Sequence, residues 1–380
     1  MCKHDQRCWA TVDLDRVAHN AAALRSNVGG VGMLAAVKAD GYGHGDVAVA
    51  RRLEAEGVEW FGVSNIQEAL RLRENGITRS LLILGPTPPE YAVELAKWDI
   101  TQTVHSAFYA GELYAAARAA GVQLCVHLKI DTGMGRIGFQ PEDIDTVAEV
   151  CRLPGFDARG IFTHFACSDG VTEEERAYTY RQYSLFVGVI KALEEQGITF
   201  ALRHCCNSAA AIQYPEMALD MVRCGIAIYG LCPSPELKNT LDLRPAMEWH
   251  AVVTMVKELP AGSCLSYGRT FTTQRASRIA TVGMGYADGY LRALGNRGAM
   301  LVRGQPARVA GRVCMDQLLL DVTDIDGAAP GDLVTVCGRD GAHTLELDDI
   351  AALCGTINYE TACLVGKRVP RVYRQGGKLL

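Results

Sequence analysis

Short apolar runs alternate with amphipathic segments along the first part of the chain. Eight of these runs have the length and the polar or glycine borders of buried strands, and most are followed by a helical pattern. The predicted strands cover residues 33–38, 60–64, 81–84, 100–104, 124–130, 158–163, 202–206 and 219–223. The helical patterns cover 46–56, 66–75, 89–97, 106–120, 141–152 and 173–196. Eight strands alternating with helices over about 200 residues predict an α/β fold, a (β/α)8 barrel.

A doubly wound open sheet is the alternative architecture for this alternation. No Gly-x-Gly-x-x-Gly sequence follows the first predicted strand, which disfavours a dinucleotide site. Near residue 232 the pattern changes to strand-like runs separated by Gly and Pro turns, after the linker-like segment 232–236. We therefore predict a barrel over 10–232 and a mostly β C-terminal domain over 233–380. The N-terminal strand within 1–14 is assigned to this second domain, because an eight-stranded barrel has no place for a ninth strand.

Composition and charge exclude several classes of function. A net charge of -5 disfavours a nucleic-acid surface, and 49% hydrophobic residues are typical of a globular core. The 14 cysteines lie mostly in apolar runs, without a disulfide framework or a paired zinc-type spacing. They indicate reduced thiols, a cytoplasmic location and no metal site. The polar segment 1–7 and the lack of any run of about 18 apolar residues predict neither a signal core nor a membrane span.

Polar side chains follow several of the predicted barrel strands. In a (β/α)8 barrel, the carboxyl ends of the strands meet at one mouth, where functional groups are placed. The residues at these ends are Lys38, Lys129, Asp131, Arg136, Thr163, His164, Asn207, Ser208 and Arg223, with Gly225 and Ile226 just beyond. We expect them to converge on one site.

Lys38 and the region around Ser208 suggest a particular cofactor. A lysine at a buried strand end can be partly desolvated and act as an amine nucleophile, although it can also simply extend its amine to solvent. Ser208, near a helix N-terminus, and the backbone of Gly225 could hold a phosphate, or could be an ordinary cap and turn. Together they suggest pyridoxal 5'-phosphate, whose aldehyde would form a Schiff base with Lys38.

Arg223 would set the chemistry of such a cofactor. It could form a salt bridge at the strand end, or it could face the pyridine nitrogen. A guanidinium retains its proton, so the ring nitrogen would accept a hydrogen bond and stay unprotonated. Because this weakens the ring as an electron sink, the site would suit reversible proton exchange at Cα.

The chain resembles the bacterial alanine racemases over nearly its whole length. The motifs that carry the resemblance occur in the right order through both predicted domains. They are Val37–Gly45, Lys129–Arg136, Asn207–Ala209, Val222–Ile226, Ser266–Gly268, Gly285–Gly289, Gly311–Gln317 and Asn358–Glu360. The resemblance implies a barrel joined to a β domain, with pyridoxal phosphate as cofactor.

The resemblance also implies roles for individual residues. Lys38 would hold the cofactor and act as the base for D-alanine, and Tyr267 would be the opposite base, for L-alanine. Arg136 and the backbone of Met315 would bind the substrate carboxylate. Lys129 matches a lysine that is often carbamylated in the family, which would orient Arg136. The cofactor shell would comprise Tyr42, His164, Asn207, Ser208, Arg223, Gly225, Ile226 and Tyr359.

The implied reaction is interconversion of L- and D-alanine by two bases on opposite faces of Cα, which supplies D-alanine for peptidoglycan or serves catabolism. Lysine and tyrosine both have ordinary pKa values near about 10, so each must be tuned toward neutrality. Tyr267, Met315 and Tyr286 lie in the β domain and, in the family, reach the partner subunit's site. The resemblance therefore implies a head-to-tail homodimer with composite sites.

Other activities fit parts of the sequence. A serine or broad-specificity racemase is possible, but Tyr359 would crowd the space beyond an alanine methyl group. Decarboxylases of related fold carry an acidic partner for the ring nitrogen where this chain has Arg223. A non-catalytic pyridoxal-phosphate-binding protein of the single-barrel type would lack the β domain and Tyr267. A degenerate scaffold is disfavoured by the intact Lys38 and Tyr267.

Overall fold

The computed structural model describes residues 7–380, which form two compact units. The barrel unit comprises Arg16–Gly41 and Asp46–Arg244. The β unit comprises the N-terminal residues up to Asp15, the short segment Tyr42–Gly45 and the region Pro245–Leu380. Residues 1–6 of the expected N-terminal segment lie outside the described residues.

The barrel unit contains eight parallel strands. After β1 (Cys8–Asp13) in the β unit, these are β2 (Gly32–Ala36), β3 (Trp60–Val63), β4 (Ser80–Ile83), β5 (Ile100–Val104), β6 (Leu124–Lys129), β7 (Phe156–Phe162), β8 (Leu202–His204) and β9 (Met221–Cys224). Their order is β8-β7-β6-β5-β4-β3-β2-β9, and the backbone bond from Arg223 N to Cys206 O, 2.8 Å, connects the two ends. The predicted (β/α)8 barrel is confirmed.

Helices follow most of these strands. They are α1 (Leu14–Asn27), α2 (Asp46–Ala55), α3 (Ile66–Glu74), α4 (Ala92–Lys97), α5 (Ala107–Ala120), α6 (Ile144–Cys151), α7 (Glu173–Glu195) and α8 (Ser208–Gln213). Helix α7 begins with a capping box, because Thr172 and Glu175 bond to each other's backbone amides. Helix α6 begins later than its sequence pattern predicts, because Gln140 and Asp143 form a closed turn ahead of it.

Apolar side chains fill part of the barrel interior. Leu34, Leu82 and Met221 form a buried cluster, and the partly buried Trp60 and Leu84 pack against it. Burial of side chains of this size contributes about 1.5–3 kcal/mol each. The interior is therefore a packed core, and this core supports the polar groups at the carboxyl ends of the strands.

The β unit is built on a ten-stranded sheet. Its further strands are β10 (Met247–Leu259), β13 (Ser277–Val282), β14 (Ala299–Val302), β15 (Gln305–Val309), β16 (Leu318–Asp321), β17 (Leu333–Asp340), β18 (His343–Leu345), β19 (Arg371–Gln375) and β20 (Lys378–Leu379), while β11 (Cys264–Leu265) and β12 (Phe271–Thr272) form a separate hairpin. Strand β1 lies between β10, which is antiparallel to it, and β19, which is parallel. The predicted mostly β second domain is confirmed.

The β unit also contains two helices that were not predicted from the sequence, α9 (Leu347–Cys354) and α10 (Asn358–Leu364). In α9, Leu347, Ile350 and Ala351 are buried, which is the i, i+3, i+4 spacing of an amphipathic helix. Within residues 7–380, no helix is both long enough and apolar enough to cross a membrane.

Candidate active site

Lys38 is displayed by an unusual turn at the end of β2. The four residues after it have positive φ angles, which are 53° for Ala39, 55° for Asp40, 60° for Gly41 and 51° for Tyr42. Each non-glycine residue in this left-handed conformation costs about 1–2 kcal/mol. Hydrogen bonds hold the turn, because Ala39 N donates to Glu68 Oε1 at 2.8 Å and Asp46 N donates to Asp40 Oδ1 at 3.2 Å. Such local strain is typical of functional sites.

Ser208 and Gly225 are brought together beneath the start of α8. The hydroxyl oxygen of Ser208 accepts a hydrogen bond from Gly225 N at 2.8 Å, which leaves the hydroxyl hydrogen of Ser208 to donate elsewhere. Asn207 caps the helix, since its Oδ1 accepts from Ala210 N at 2.9 Å. The first amide groups of a helix have no acceptor within the helix. These donors, with the buried Ile226 beside them, fit the phosphate of pyridoxal phosphate.

Arg223 is buried on β9 and uses both of its terminal nitrogens within the protein. Nη1 donates to Nδ1 and to the carbonyl of His204, both at 3.0 Å. Nη2 donates to the Thr163 carbonyl at 2.7 Å, and also lies 3.0 Å from the Cys205 carbonyl and 3.2 Å from His164 Nδ1. None of these partners is a carboxylate, so the alternative of a strand-end salt bridge is not formed among residues 7–380. Nothing in that range accepts from Nε, which remains a donor for a ring nitrogen.

The positive charge of Arg223 shapes its surroundings. Burial lowers the pKa of Arg223 to about 10, so the guanidinium stays charged near neutral pH. Burial, and then the charges of Arg223, Arg136, Lys129 and Lys38, hold the pKa of His164 well below its usual range. His164 is therefore neutral. Because its Nδ1 accepts from Arg223, its single hydrogen lies on Nε2.

Lys129 lies in the same positive environment. Its amine is almost fully buried and donates to the Ile130 carbonyl at 2.7 Å. Burial first, and then the charge of Arg223, lower the pKa of Lys129 to about 7. A substantial fraction of this amine is thus unprotonated near neutral pH, as an amine nucleophile requires.

Asp131 organises the loop that carries Arg136. Its Oδ1 accepts from the backbone amides of Gly133, Met134 and Gly135, and its Oδ2 accepts from Arg136 N at 3.0 Å. Burial alone would raise the pKa of Asp131, but these backbone hydrogen bonds lower it overall. From the sequence alone, Asp131 is only a polar residue at a strand end. Its position in the structure makes it the anchor of the loop.

In the β unit, Tyr267 and Met315 lie on one pocket of about 520 Å³. The pocket is lined by Ser266, Tyr267, Cys314, Met315, Asp316 and Gln317. Tyr267 is 69% exposed and Met315 is 53% exposed, which is unusual for large side chains of this kind. Ser266 has a φ of 60° and anchors the turn by donating from Oγ to the Arg312 carbonyl at 2.6 Å.

A second turn of the β unit supports Met315. Tyr286 N donates to the Cys314 carbonyl and Ala287 N donates to the Met315 carbonyl, both at 3.0 Å. A Cβ atom on Gly285 would lie 2.3 Å from the Cys314 carbonyl oxygen, so only glycine fits there.

Asp288 ties this turn to two arginines. Its side chain is fully buried, accepts from Gly285 N at 2.9 Å and pairs with Arg7, while Arg368 lies 3.6 Å away. Arg368 in turn pairs with Asp316 at 2.7 Å, next to Met315. Neither Arg7 nor Arg368 was singled out from sequence, because each is far along the chain from its partner, by 281 and 52 positions.

Tyr42 and Tyr359 are also brought together within the β unit. Their ring centroids lie 6.3 Å apart at a tilt of 59°. Tyr359 lies on α10, and Tyr42 lies in the left-handed turn that follows Lys38 and continues to Gly43, which has a φ of 79°. The expected residues thus form two sets. The barrel unit carries Lys38, Lys129, Arg136, His164, Asn207, Ser208, Arg223, Gly225 and Ile226, and the β unit carries Tyr42, Tyr267, Met315 and Tyr359.

Solved structures of similar fold cover almost the whole chain. An alanine racemase from Clostridium difficile 630 matches with a TM-score of 0.93 and 38% identity, over 100% of this chain and 98% of that one. An alanine racemase from Bacillus anthracis with bound L-Ala-P matches with a TM-score of 0.93 and 34% identity, over 99% and 97%.

Sequence relatives agree with this result. A protein named alanine racemase from Desulfovibrio desulfuricans is 46% identical over 98% of this chain and 100% of its own length. One from Clostridium perfringens is 44% identical over 98% and 96%. The family model described as the alanine racemase N-terminal domain matches residues 12–233, and that of the C-terminal domain matches 246–373. With both domain models and full-length relatives in agreement, the chain belongs to the alanine racemase family.

Proposed function

We propose that this protein interconverts L-alanine and D-alanine, with pyridoxal phosphate as cofactor and with Lys38 and Tyr267 as the two bases. The observation that carries the proposal is the setting of Arg223. Its terminal nitrogens are used by neutral acceptors and no carboxylate within residues 7–380 contacts it, so it would offer the ring nitrogen a hydrogen bond but no proton. That electronic setting favours reversible proton exchange at Cα.

The bound cofactor withdraws electrons from the Cα of an attached amino acid and makes its proton acidic. Lys38 would hold the aldehyde end, and Ser208 with the amides around Gly225 would hold the phosphate. Asn207 and Ile226 would shape this cradle, and Tyr42, His164 and Tyr359 would complete the shell. The proposal rests on the donor set that the barrel unit brings together at Ser208 and Arg223.

Two bases on opposite faces are needed to invert Cα. Lys38 would remove or return the proton on one face, and Tyr267 would do so on the other. The Nε2–H of neutral His164 would then tune the proton affinity of Tyr267, because the positive charges near His164 prevent it from becoming a cation.

Arg136 and the backbone of Met315 would bind the substrate carboxylate. Asp131 holds the Arg136 loop by accepting hydrogen bonds from four backbone amides. These bonds fix the backbone position from which the Arg136 side chain extends. The unprotonated amine of Lys129, whose pKa is about 7, would add to carbon dioxide and release one proton to water, and the resulting carbamate anion would orient Arg136. A carbamate would also remove the cost of a buried cation at this position.

We infer a head-to-tail homodimer with composite active sites. Tyr267, Met315 and Tyr286 leave between 40% and 69% of their surfaces exposed on one part of the β unit, and a partner subunit would cover them. A closed two-fold arrangement would then give each site its Lys38 from one subunit and its Tyr267 from the other.

We also propose a cytoplasmic location, where the product would supply D-alanine for peptidoglycan. The buried cysteines Cys8, Cys205, Cys206, Cys224 and Cys337 carry free thiols, which agrees with a reducing compartment.

The test is incubation of the cofactor-loaded protein with L-alanine in deuterated water, with L-serine in parallel. We expect D-alanine that carries deuterium at Cα, and much slower turnover of serine. Serine turnover equal to that of alanine would indicate a broader racemase. No exchange at all with the cofactor bound would refute the proposal in favour of a binding protein.

Two substitutions separate the roles of the bases. Y267F should abolish inversion from L-alanine while pyridoxal phosphate still binds. Y180F is the matched control, because Tyr180 is also exposed but lies in the barrel unit, where its hydroxyl donates to Glu216. Full racemisation by Y267F, or by a proven monomer, would contradict the assigned base and the composite site respectively.

A further inference from the structure

Two buried histidines lie behind Arg223 in the barrel unit. His204 Nδ1 is 3.0 Å from Arg223 Nη1, and His204 Nε2 is 3.0 Å from His127 Nδ1. Both histidines are completely buried, and the Phe162 ring stacks on His204 with centroids 4.9 Å apart. A chain of hydrogen bonds therefore runs from Arg223 into the barrel interior.

The chemistry of Arg223, His204 and His127 determines which nitrogen carries the hydrogen in each of these hydrogen bonds. A guanidinium can only donate, so His204 Nδ1 must accept. Burial, followed by the charges of Arg223 and Lys129, keeps His204 neutral, with a pKa well below its usual value. Its one hydrogen is then on Nε2 and is donated to His127 Nδ1. His127, whose pKa burial and the charges of Arg223 and Arg159 lower to about 3, is also neutral and carries its hydrogen on Nε2.

Keeping a histidine at position 127 has two structural costs. Its Nε2–H is buried without an acceptor among the described residues, a state that is uncommon in folded proteins. Its ring also requires glycine at the facing position, because a Cβ atom on Gly160 would lie 2.6 Å from three ring atoms. An apolar residue would avoid the first cost. The hydrogen bond that His127 Nδ1 accepts from His204 Nε2 compensates for both costs.

We propose that His127 is a positioning residue for the reaction. By accepting from His204 Nε2, it holds His204 as the acceptor for Arg223 and so keeps the guanidinium in place for the cofactor ring. His127 itself touches neither cofactor nor substrate in this role. The link to the cofactor rests on the proposed function, whereas the hydrogen positions rest only on the geometry of the barrel unit.

The first test measures the hydrogen positions directly. The cofactor-loaded protein, labelled with 15N at histidine, is examined by NMR, and signals are assigned by their loss in H127Q and H204Q. We expect a bare, pyridine-like Nδ1 and a protonated, pyrrole-like Nε2 for both His127 and His204, unchanged between about pH 5 and 8, where an ordinary histidine titrates. A protonated Nδ1 on His204, or titration of either ring in this range, would overturn the proposal.

The second test compares two substitutions that differ in whether an acceptor remains. H127Q retains an oxygen acceptor for His204, and H127L removes it. We expect H127L to shift the visible absorption band of the bound cofactor and to raise its dissociation constant about tenfold, which is the effect of losing the proposed hydrogen bond from the charged Arg223 to the cofactor ring. H127Q should stay within about twofold of the wild type, because the acceptor is restored.

Leu82→Ala is the matched control for a generally loosened barrel, since Leu82 is buried in the interior cluster and not in the histidine chain. It should lower the unfolding temperature without shifting the absorption band. An unshifted band and unchanged cofactor affinity in folded H127L would refute the positioning role. Because the NMR test needs neither substrate nor turnover, it stands even if the protein fails to racemise alanine.

Discussion

Replacing Gly285 by alanine tests how the β unit supports Met315. The added Cβ would lie 2.3 Å from the Cys314 carbonyl oxygen and 2.4 Å from that of Met315. Both atoms belong to the backbone, so the two turns must separate. Separation breaks the bonds from Tyr286 N and Ala287 N to these carbonyls. Each lost bond costs about 1 kcal/mol, and the overpacking adds about 1–3 kcal/mol.

The expected total loss for G285A is about 3–5 kcal/mol of the free energy of unfolding. For a unit of this size, that lowers the unfolding temperature by roughly 10 °C. The KM for alanine should rise, because Met315 would no longer present its backbone to the carboxylate. Pyridoxal-phosphate affinity should change little, since the proposed phosphate-binding residues Ser208 and Gly225 lie in the barrel unit. The assays are calorimetry, steady-state kinetics and cofactor titration.

Gly188→Ala is the matched control. Gly188 lies inside α7, and no heavy atom comes within 4 Å of the position of its added Cβ. Alanine should therefore stabilise the helix by about 0.5–1 kcal/mol, the opposite sign from G285A. If G285A unfolds at the same temperature as the wild type, or if it binds alanine equally well, the steric reasoning is refuted.

Three further predictions follow from the site. Asp288→Asn should lower stability by about 2 kcal/mol, because Arg7 loses its buried anionic partner, and should raise the KM for alanine, because Arg368, which pairs with Asp316 next to Met315, loses the same charge; calorimetry and kinetics measure this. In bicarbonate-free buffer, Lys129→Met should stabilise the protein. Since the folded-state pKa of about 7 lies below the usual 10.5, the gain should be largest below pH 7 and disappear toward pH 10; a constant gain in urea titrations would contradict this. Ser208→Ala should weaken cofactor binding about tenfold in equilibrium titrations, because the donor beside Gly225 is lost.

The barrel was predictable because each strand corresponds to a local pattern of apolar and polar residues in the sequence. An apolar run with a polar residue at its end identifies both the strand and the group that it presents, as for Lys38 and Arg223. The same reasoning predicted that these groups share one unit. Helix α9 was also readable from the spacing of Leu347, Ile350 and Ala351, but it lies in a region whose other apolar runs predicted strands.

Other features depend on contacts between distant residues. His127 and His204 are 77 positions apart, and Asp288 meets Arg7 across 281 positions. No local pattern indicates such pairs. The left-handed turn after Lys38 contradicts local preference as well, because Ala39 and Tyr42 are residue types that rarely adopt positive φ. It forms because the folded surroundings supply hydrogen bonds that outweigh its strain.

The assignment of Tyr42–Gly45 to the β unit has a consequence for chimeric enzymes. A Cβ atom on Gly43 would lie 2.3 Å from the Ala362 carbonyl, and one on Gly45 would lie 1.9 Å from the Tyr373 hydroxyl, so this segment is fitted closely to the C-terminal region. Recombination of two homologous genes at the linker near residue 240 would pair the segment with a foreign surface. A functional exchange would need three crossovers, one on each side of residues 42–45 and one near residue 240, so that this segment and the C-terminal region against which it fits come from the same parent.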